Sequence, residues 1–254
     1  MAAGHLHALY HHGHTAVHRL APQVKIAAAF GTVLAIVVTP REAIWAFVVF
    51  GVALGVIAGL AGLGPRFIAR RMVVEIPFVI VALLLPLFGG GDQVEVLGVS
   101  LSIQGLWDMW NILAKATLGL FVAVILGATT QIPDMIKGLD ALRVPSVVTG
   151  IITFMVRYID VILGDFARMR VAMASRGHRT NTVADWGPYA RTVGVMFVRT
   201  YERGERVYLA MASRGYDGTM PASLRVPAPA RQWLGAGLLV AGFWLVAALG
   251  WATR

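Results

Sequence analysis

The chain has 254 residues, of which 57% are hydrophobic and only 14% charged, with a mean hydropathy of +0.71. A soluble domain carries about 25% charged residues, so the composition excludes an ordinary water-soluble fold and points to lipid as the solvent. The net charge of +9 would suggest nucleic acid in a polar chain. Here it reads as basic cytoplasmic loops and a surface for an acidic partner, with no nucleic acid involved.

The N-terminal tail, residues 1–19, is rich in histidine: His5, His7, His11, His12, His14 and His18 are six of the seven in the chain. Imidazole suits nickel, cobalt and zinc, which makes His5, His7, His11, His12 and His14 weak metal candidates. Their spacing matches no fixed ligand template and no carboxylate lies nearby, so a solvated, weakly metal-binding tail is the simpler reading. Histidines also stand where a signal peptide would place a short basic region and an apolar core. The chain has no cysteine, which excludes disulfides and thiolate metal sites.

Charge-free apolar runs then mark the expected spans: Ile26–Pro40, Ala43–Pro65, Ile76–Gly91, Ala116–Pro133 and Gln232–Thr253. A spanning helix needs about 20 residues, with a range of roughly 17–25. The second, fourth and fifth runs meet that directly. The first borrows Leu20–Lys25, with Lys25 snorkelling to the interface. The third takes in Met72–Glu75, where Arg71 and Glu75 are spaced to pair, and Pro77 and Pro86 predict a kink. Loop 64–71 carries Arg66, Arg70 and Arg71, whereas loop 89–111 carries Asp92, Glu95 and Asp108 with no basic residue. Basic loops face the cytoplasm, so the N-terminus is expected inside and Arg254 outside.

The sixth apolar run, Val144–Val156, is only 13 residues long. If it crossed the bilayer, residues 165–231 would lie outside with 11 of the 22 basic residues, all arginine, against five acids. The distribution of positive charge argues against that. Residues 146–176 therefore read as a long helix that starts at the membrane face and projects into the cytoplasm. Its apolar stripe is Val148, Ile152, Met155, Ile159, Ile162, Phe166, Met169 and Met173, with Arg157 and Asp160 spaced to pair on the polar side. A second amphipathic helix runs from about Trp186 to Arg214, with Tyr189, Val193, Met196, Thr200, Gly204, Val207 and Met211 in its stripe. Thr200 and Gly204 are small enough to permit a close crossing. The expected organisation is a tail at 1–19, four spans within 20–133, a cytoplasmic helical domain at 134–231 and a last span at 232–254.

The hexapeptide Ala-Met-Ala-Ser-Arg-Gly occurs twice, at 172–177 and 210–215. Each copy falls where one of these helices should stop, and each is followed by a ring, His178 or Tyr216. Gly177 and Gly215 suit a left-handed residue just past a helix end, and Arg176 and Arg214 suit the negative end of the helix dipole. A single copy would be an ordinary helix stop. Two copies suggest paired helix ends that insert into grooves on another protein, with arginines able to bind carboxylates bidentately.

With these features the chain resembles the transmembrane T component of energy-coupling-factor transporters, and most closely its cobalt-type branch, CbiQ. The family's mark is two Ala-Arg-Gly motifs that end crossed coupling helices. Here Ser175-Arg176-Gly177 and Ser213-Arg214-Gly215 match, with serine for the usual alanine. His18 to Lys25, Pro133, Leu142 to Pro145 and Arg157-Tyr158-Ile159 fit as well, so the similarity runs from about residue 14 to 240. The resemblance implies an all-α integral membrane protein with about five transmembrane helices and crossed cytoplasmic coupling helices, multi-pass in a bacterial inner membrane. It further implies that Ala174, Ser175, Arg176, Gly177, Ala212, Ser213, Arg214 and Gly215 dock onto two copies of an ATP-binding-cassette ATPase. ATP and magnesium would sit on those partners, with no cofactor on this chain. A separate membrane subunit would bind cobalt. The chain carries no Gly-x-x-x-x-Gly-Lys-Ser/Thr loop of its own, so it reads as non-catalytic. Nickel or a vitamin would serve as cargo equally well. The alternative class, a self-sufficient metal carrier or channel, lacks the buried acids or histidines that mark an ion pathway and the inverted repeats of a carrier.

Overall fold

The computed structural model describes residues 13, 15–88, 90, 93–96, 99–177, 186–218 and 227–253. It is helical apart from one short hairpin. In chain order the elements are α1 (Pro22–Val38), α2 (Ile44–Leu60), α3 (Pro65–Met72), a 3-10 turn (Val73–Glu75), α4 (Ile76–Phe88), β1 (Gln93–Val96), β2 (Val99–Ser102), α5 (Ile103–Thr129), α6 (Ile132–Ala141), α7 (Ser146–Ser175), α8 (Trp186–Ala212) and α9 (Ala230–Ala252). The histidines proposed as weak metal candidates lie outside the described residues. The chain divides into two compact units, one over Leu139–Arg225 and one built from Leu9–Gly138 with Val226–Arg254.

In the second of these units the direction of each helix follows from side chains that reach a neighbour's end. Ala21 N–H donates to Gln232 Oε1 at 2.9 Å, and Trp251 Nε1 donates to the Val38 carbonyl at 3.0 Å. Both ends thus register, and α1 and α9 run parallel. Lys25 Nζ donates to the Thr129 carbonyl at 2.8 Å, and Lys115 Nζ to the Val37 carbonyl at 2.8 Å, so α5 runs antiparallel to α1. The start of α2 meets the end of α9, where Gly250 lies against Ala43 and Pro40. The end of α4 meets the start of α5 at Gly105. Five helices therefore alternate in direction along the chain, as five successive spans would.

These end-to-end donors have a physical reason. The last carbonyls of a helix lack partners within it, and in hydrocarbon no water can supply one. Lys25 and Lys115 fill that role. This corrects the expectation that Lys25 snorkels: it is 8% exposed, and its ammonium points inward to the end of α5.

The core of the unit is built from Ile36, Ala46, Phe50, Leu54, Leu118, Val122, Phe243 and Ala247, with Phe50 and Phe243 stacked at 5.1 Å between centroids. Small residues allow the closest approaches. A Cβ on Gly105 would stand 2.7 Å from the Leu85 carbonyl oxygen, and one on Gly31 would stand 2.8 Å from Val240. The outer surface is apolar: Phe30, Val52, Phe78, Val81 and Leu238 are all more than 60% exposed. A water-soluble monomer rarely exposes such a belt; a bilayer covers it.

Several boundaries differ from those read in the sequence. Among the described residues three helices, α5, α7 and α9, are long and apolar enough to cross a membrane by length and composition, while α1 and α2 are shorter apolar helices of 17 residues. The run Ala43–Pro65 is cut because Gly62 adopts a left-handed φ of 72° and Leu63 N–H bonds back to Ala58. The basic loop 64–71 is mostly helix, α3. The third span is interrupted by the 3-10 turn Val73–Glu75, where Pro77 has no N–H to bond the carbonyl four residues back, that of Val73, whereas α4 continues through Pro86. Glu75 accepts from Thr117 Oγ1 at 2.6 Å, while the Arg71 guanidinium lies over the Phe67 ring at 4.2 Å. Loop 89–111 holds the antiparallel hairpin, Gln93 opposite Ser102 and Val96 opposite Val99, and then the first turns of α5. Ser102 is the N-cap: its Oγ accepts from Gly105 N–H at 3.2 Å.

Candidate functional site: the paired-helix module

The unit over Leu139–Arg225 holds the end of α6, then α7 and α8. α6 closes with Arg143 in the left-handed region at φ 63°. Val144 N–H bonds to the Leu139 carbonyl and Arg143 N–H to that of Asp140, the paired reverse bonds that satisfy a helix's last acceptors. Pro145 then ends the turn and starts α7, since its φ is preset and its missing N–H is not needed there. α7 runs 30 residues, about 45 Å at 1.5 Å per residue.

Both copies of the repeated hexapeptide end their helices in the same way. Gly177 has φ 78° and Gly215 φ 84°. Gly177 N–H bonds to the Ala174 carbonyl, and Gly215 N–H bonds to that of Ala212, each at 3.0 Å. In the second copy Tyr216 N–H also bonds to Met211 at 3.1 Å, completing the motif. The serines turn back on their own helices: Ser175 Oγ donates to the Val171 carbonyl and Ser213 Oγ to that of Ala210, each at 3.0 Å. A serine can therefore stand in the first place of each triplet with its hydroxyl satisfied locally. Arg176 and Arg214 are exposed, and neither side chain has a hydrogen bond or ion pair among the described residues.

Two contacts set how α7 and α8 meet. Met173 Sδ accepts from Thr192 Oγ1 at 3.4 Å, and Arg203 donates to Asp165 Oδ2 at 3.1 Å. Moving back along α7 thus means moving forward along α8, an antiparallel arrangement. Arg176 lies three residues past Met173, while Arg214 lies 22 residues past Thr192, about 33 Å along the α8 axis at 1.5 Å per residue. The two arginines therefore stand at opposite ends of α8.

Asp165 also accepts from Arg168 on its own helix. Those hydrogen bonds, from Arg168 first and then Arg203, hold its carboxyl below the ordinary aspartate range. Nothing in the sequence around Asp165 announces a partner 38 residues on. The expected Arg157–Asp160 pair does not form: among the described residues Asp160 Oδ1 is buried without a hydrogen-bond partner, and Arg157 is exposed. Nor do the helices meet along their whole apolar stripes. Val148 and Met155 on α7, with Val193, Thr200 and Gly204 on α8, are exposed, and nothing lies within 4 Å of a Cβ placed on Gly204. The reason is visible in α7, which has apolar residues on more than one face, so spacing alone does not choose the inward one. What is left outside is a strip of Val147, Ile151 and Met155 on α7, each at least 60% exposed, and of Val193, Phe197 and Tyr201 on α8, each at least 58% exposed. Among the described residues no group of three or more histidines or acids is placed to hold a metal ion.

An apolar bundle of alternating helices, joined in sequence to a module that presents two matched arginine-bearing helix ends, defines a multi-pass membrane protein of the transporter-subunit class. The chain belongs to the CbiQ family of cobalt transport proteins, whose model matches residues 13–224. It is 26% identical over 153 residues to a cobalt transport protein CbiQ of Rhodobacter capsulatus, covering 57% of this chain and 62% of that one. An energy-coupling factor transporter transmembrane protein EcfT of Bacillus selenitireducens is 23% identical over 220 residues, 81% of each chain. A putative fused cobalt transport protein CbiMQ of Methanocorpusculum labreanum is 24% identical over 174 residues, 63% of this chain and 28% of that protein. The chain spans less than half the length of that protein and of two other curated relatives it matches.

Proposed function

We propose that this chain is the energy-coupling membrane subunit of an energy-coupling-factor importer for cobalt. The observation that carries the reading is the pair of identical helix ends, with Arg176 and Arg214 exposed, unpaired among the described residues and at opposite ends of α8. Ala174 to Gly177 and Ala212 to Gly215 would each enter a groove on one copy of a two-fold ATPase pair. Two equivalent grooves need two equivalent plugs from a single chain, which gives the repeat its physical purpose. Arginine suits the task because its planar fork matches a carboxylate bidentately.

In this reading ATP binding and magnesium belong to the partner ATPases, and the chain transmits their closure. Movement of the two sockets would shift the far ends of α7 and α8. The exposed apolar strips of those helices would hold the membrane subunit that binds the ion, and their displacement would reorient it. The module and the N-terminus would face the cytoplasm, as the arginine-rich segment requires. Cobalt rests on the family and on the names of the relatives from R. capsulatus and M. labreanum. A nickel or vitamin complex would use the same coupling geometry.

The test is uptake of radioactive cobalt by cells carrying the full transporter, with native chain or with Arg176→Ala/Arg214→Ala. Transport should fall to background while the variant remains in the membrane at native abundance. Normal uptake by the double variant would exclude the socket reading.

A further inference from the structure

We propose that the cleft at the basic end of the helical bundle binds one anionic glycerophospholipid, its phosphate held by Arg19 and Arg231 and its acyl chains lying along α1, α5 and α9. The cleft lies wholly within the unit built from Leu9–Gly138 and Val226–Arg254. Its volume is about 750 Å³, in the range of sites that enclose a small molecule. Val24, Ala28, Leu54, Val122, Leu126 and Ala236 form its walls, and among the described residues no acidic side chain lines it. It opens on the flank of the bundle through Leu60 and Leu239, which line it and are 64% and 37% exposed.

Charge is confined to the mouth. Arg19 precedes α1, Lys25 is in its first turn and Arg231 is in the first turn of α9, all three lining the cleft. Lys25 is committed to the Thr129 and His18 carbonyls. The side chains of Arg19 and Arg231 are exposed and have no hydrogen bond or ion pair among the described residues. Two free guanidiniums over an apolar slot match an anion attached to hydrocarbon: the phosphate takes charge-assisted bonds, and the chains cover the walls. A soluble anion would leave those walls bare, and a neutral lipid would leave the cations without a counter-charge. Basic pockets between helices on the cytoplasmic side are suited to anionic headgroups. The inference rests on the proposed orientation only in assigning the lipid to the cytoplasmic leaflet; binding itself requires neither ATPase nor cobalt.

The experiment is native mass spectrometry of the purified full chain in detergent, titrated with phosphatidylglycerol or phosphatidylcholine. We expect phosphatidylglycerol to be retained at least tenfold more tightly. Arg19→Gln/Arg231→Gln should remove that preference, whereas the charge-matched control Arg191→Gln/Arg199→Gln on α8 should keep it. Ala236→Phe, which fills the slot and leaves the cations in place, should weaken both lipids. The proposal is overturned if the two lipids bind equally to the native chain, or if Arg19→Gln/Arg231→Gln retains the preference. It is also overturned if glycerol 3-phosphate displaces the lipid at equal concentration, which would mark a soluble-anion site. Capture of a protein segment and no lipid by a photoreactive residue at Leu126 in membranes would overturn it in favour of a protein occupant. Loss of ATPase co-purification would bear on the proposed function and leave this result untouched.

Discussion

Arg143, Gly177 and Gly215 differ in chemistry yet adopt the same left-handed conformation at three helix ends. Glycine does so freely, whereas a residue with a Cβ is strained there by about 1–2 kcal/mol. At Arg143 that strain aims the chain from α6 into α7. We therefore expect Arg143→Val to destabilise the protein by about 1–2 kcal/mol, since a β-branched side chain tolerates positive φ least. Arg143→Gly should be neutral or slightly stabilising. Thermal melts of the two variants check the pair, and an unharmed valine variant would show that the turn is not held in this conformation. The two glycine stops were legible because Arg-Gly closes an apolar repeat. Arg143 was not, because nothing local distinguishes a left-handed arginine from a helical one. Lys25 was misread for a related reason: a lysine at the edge of an apolar run looks like a snorkel until the end of α5, more than a hundred residues away, is placed beside it.

Amphipathic stripes are enough to locate α7 and α8, whereas counting charge-free runs misses helical turns that carry charges. α7 and α8 begin where the pattern puts them. α5 begins 13 residues before the charge-free run it was assigned, because Asp108 and Lys115 have partners, Arg41 at 2.7 Å and the Val37 carbonyl. A residue count that stops at charges loses such turns. α6 was lost in the same way, with Asp134, Lys137 and Asp140 along it. The crossing of α7 with α8 depended on Asp165 and Arg203, a contact that only the folded pair creates. Because its arginines hold the Asp165 carboxyl below the ordinary value, this link strengthens the pair at every pH above that range and fades only as pH falls through the lowered value. The cysteine-free chain permits spin labels at Arg170 and Arg199. Their distance should stay constant from pH 8 to pH 5, with broadening confined below the ordinary aspartate value of about 3.9. Broadening already at pH 6 would contradict the assignment. Gly105→Ala offers a second check at this scale. With backbone 2.7 Å from the added Cβ, α4 and α5 must part, at a cost of about 1–3 kcal/mol, read as a lowered melting temperature in detergent.

For the molecule as a whole, composition alone gave the solvent, and the alternating helix directions agree with a chain that crosses five times. α7 is long and apolar enough to add a sixth crossing, so length does not decide the topology; the proposed orientation rests on the eleven arginines of 165–231. A reporter fused after Arg254 should therefore score as external and one inserted at 218–219 as cytoplasmic. The opposite result at either place would overturn the orientation.

The central claim is that the helix ends bearing Arg176 and Arg214 are two equivalent plugs for the grooves of one ATPase pair, and co-purification tests it most directly. The native chain, each single alanine variant and the double variant would be affinity-purified in mild detergent from cells that express the whole transporter, with the bound ATPase quantified. The account predicts full recovery with the native chain, a partial loss of similar size for Arg176→Ala and Arg214→Ala, and no ATPase recovered with the double variant. Equal ATPase recovery from all four would contradict it.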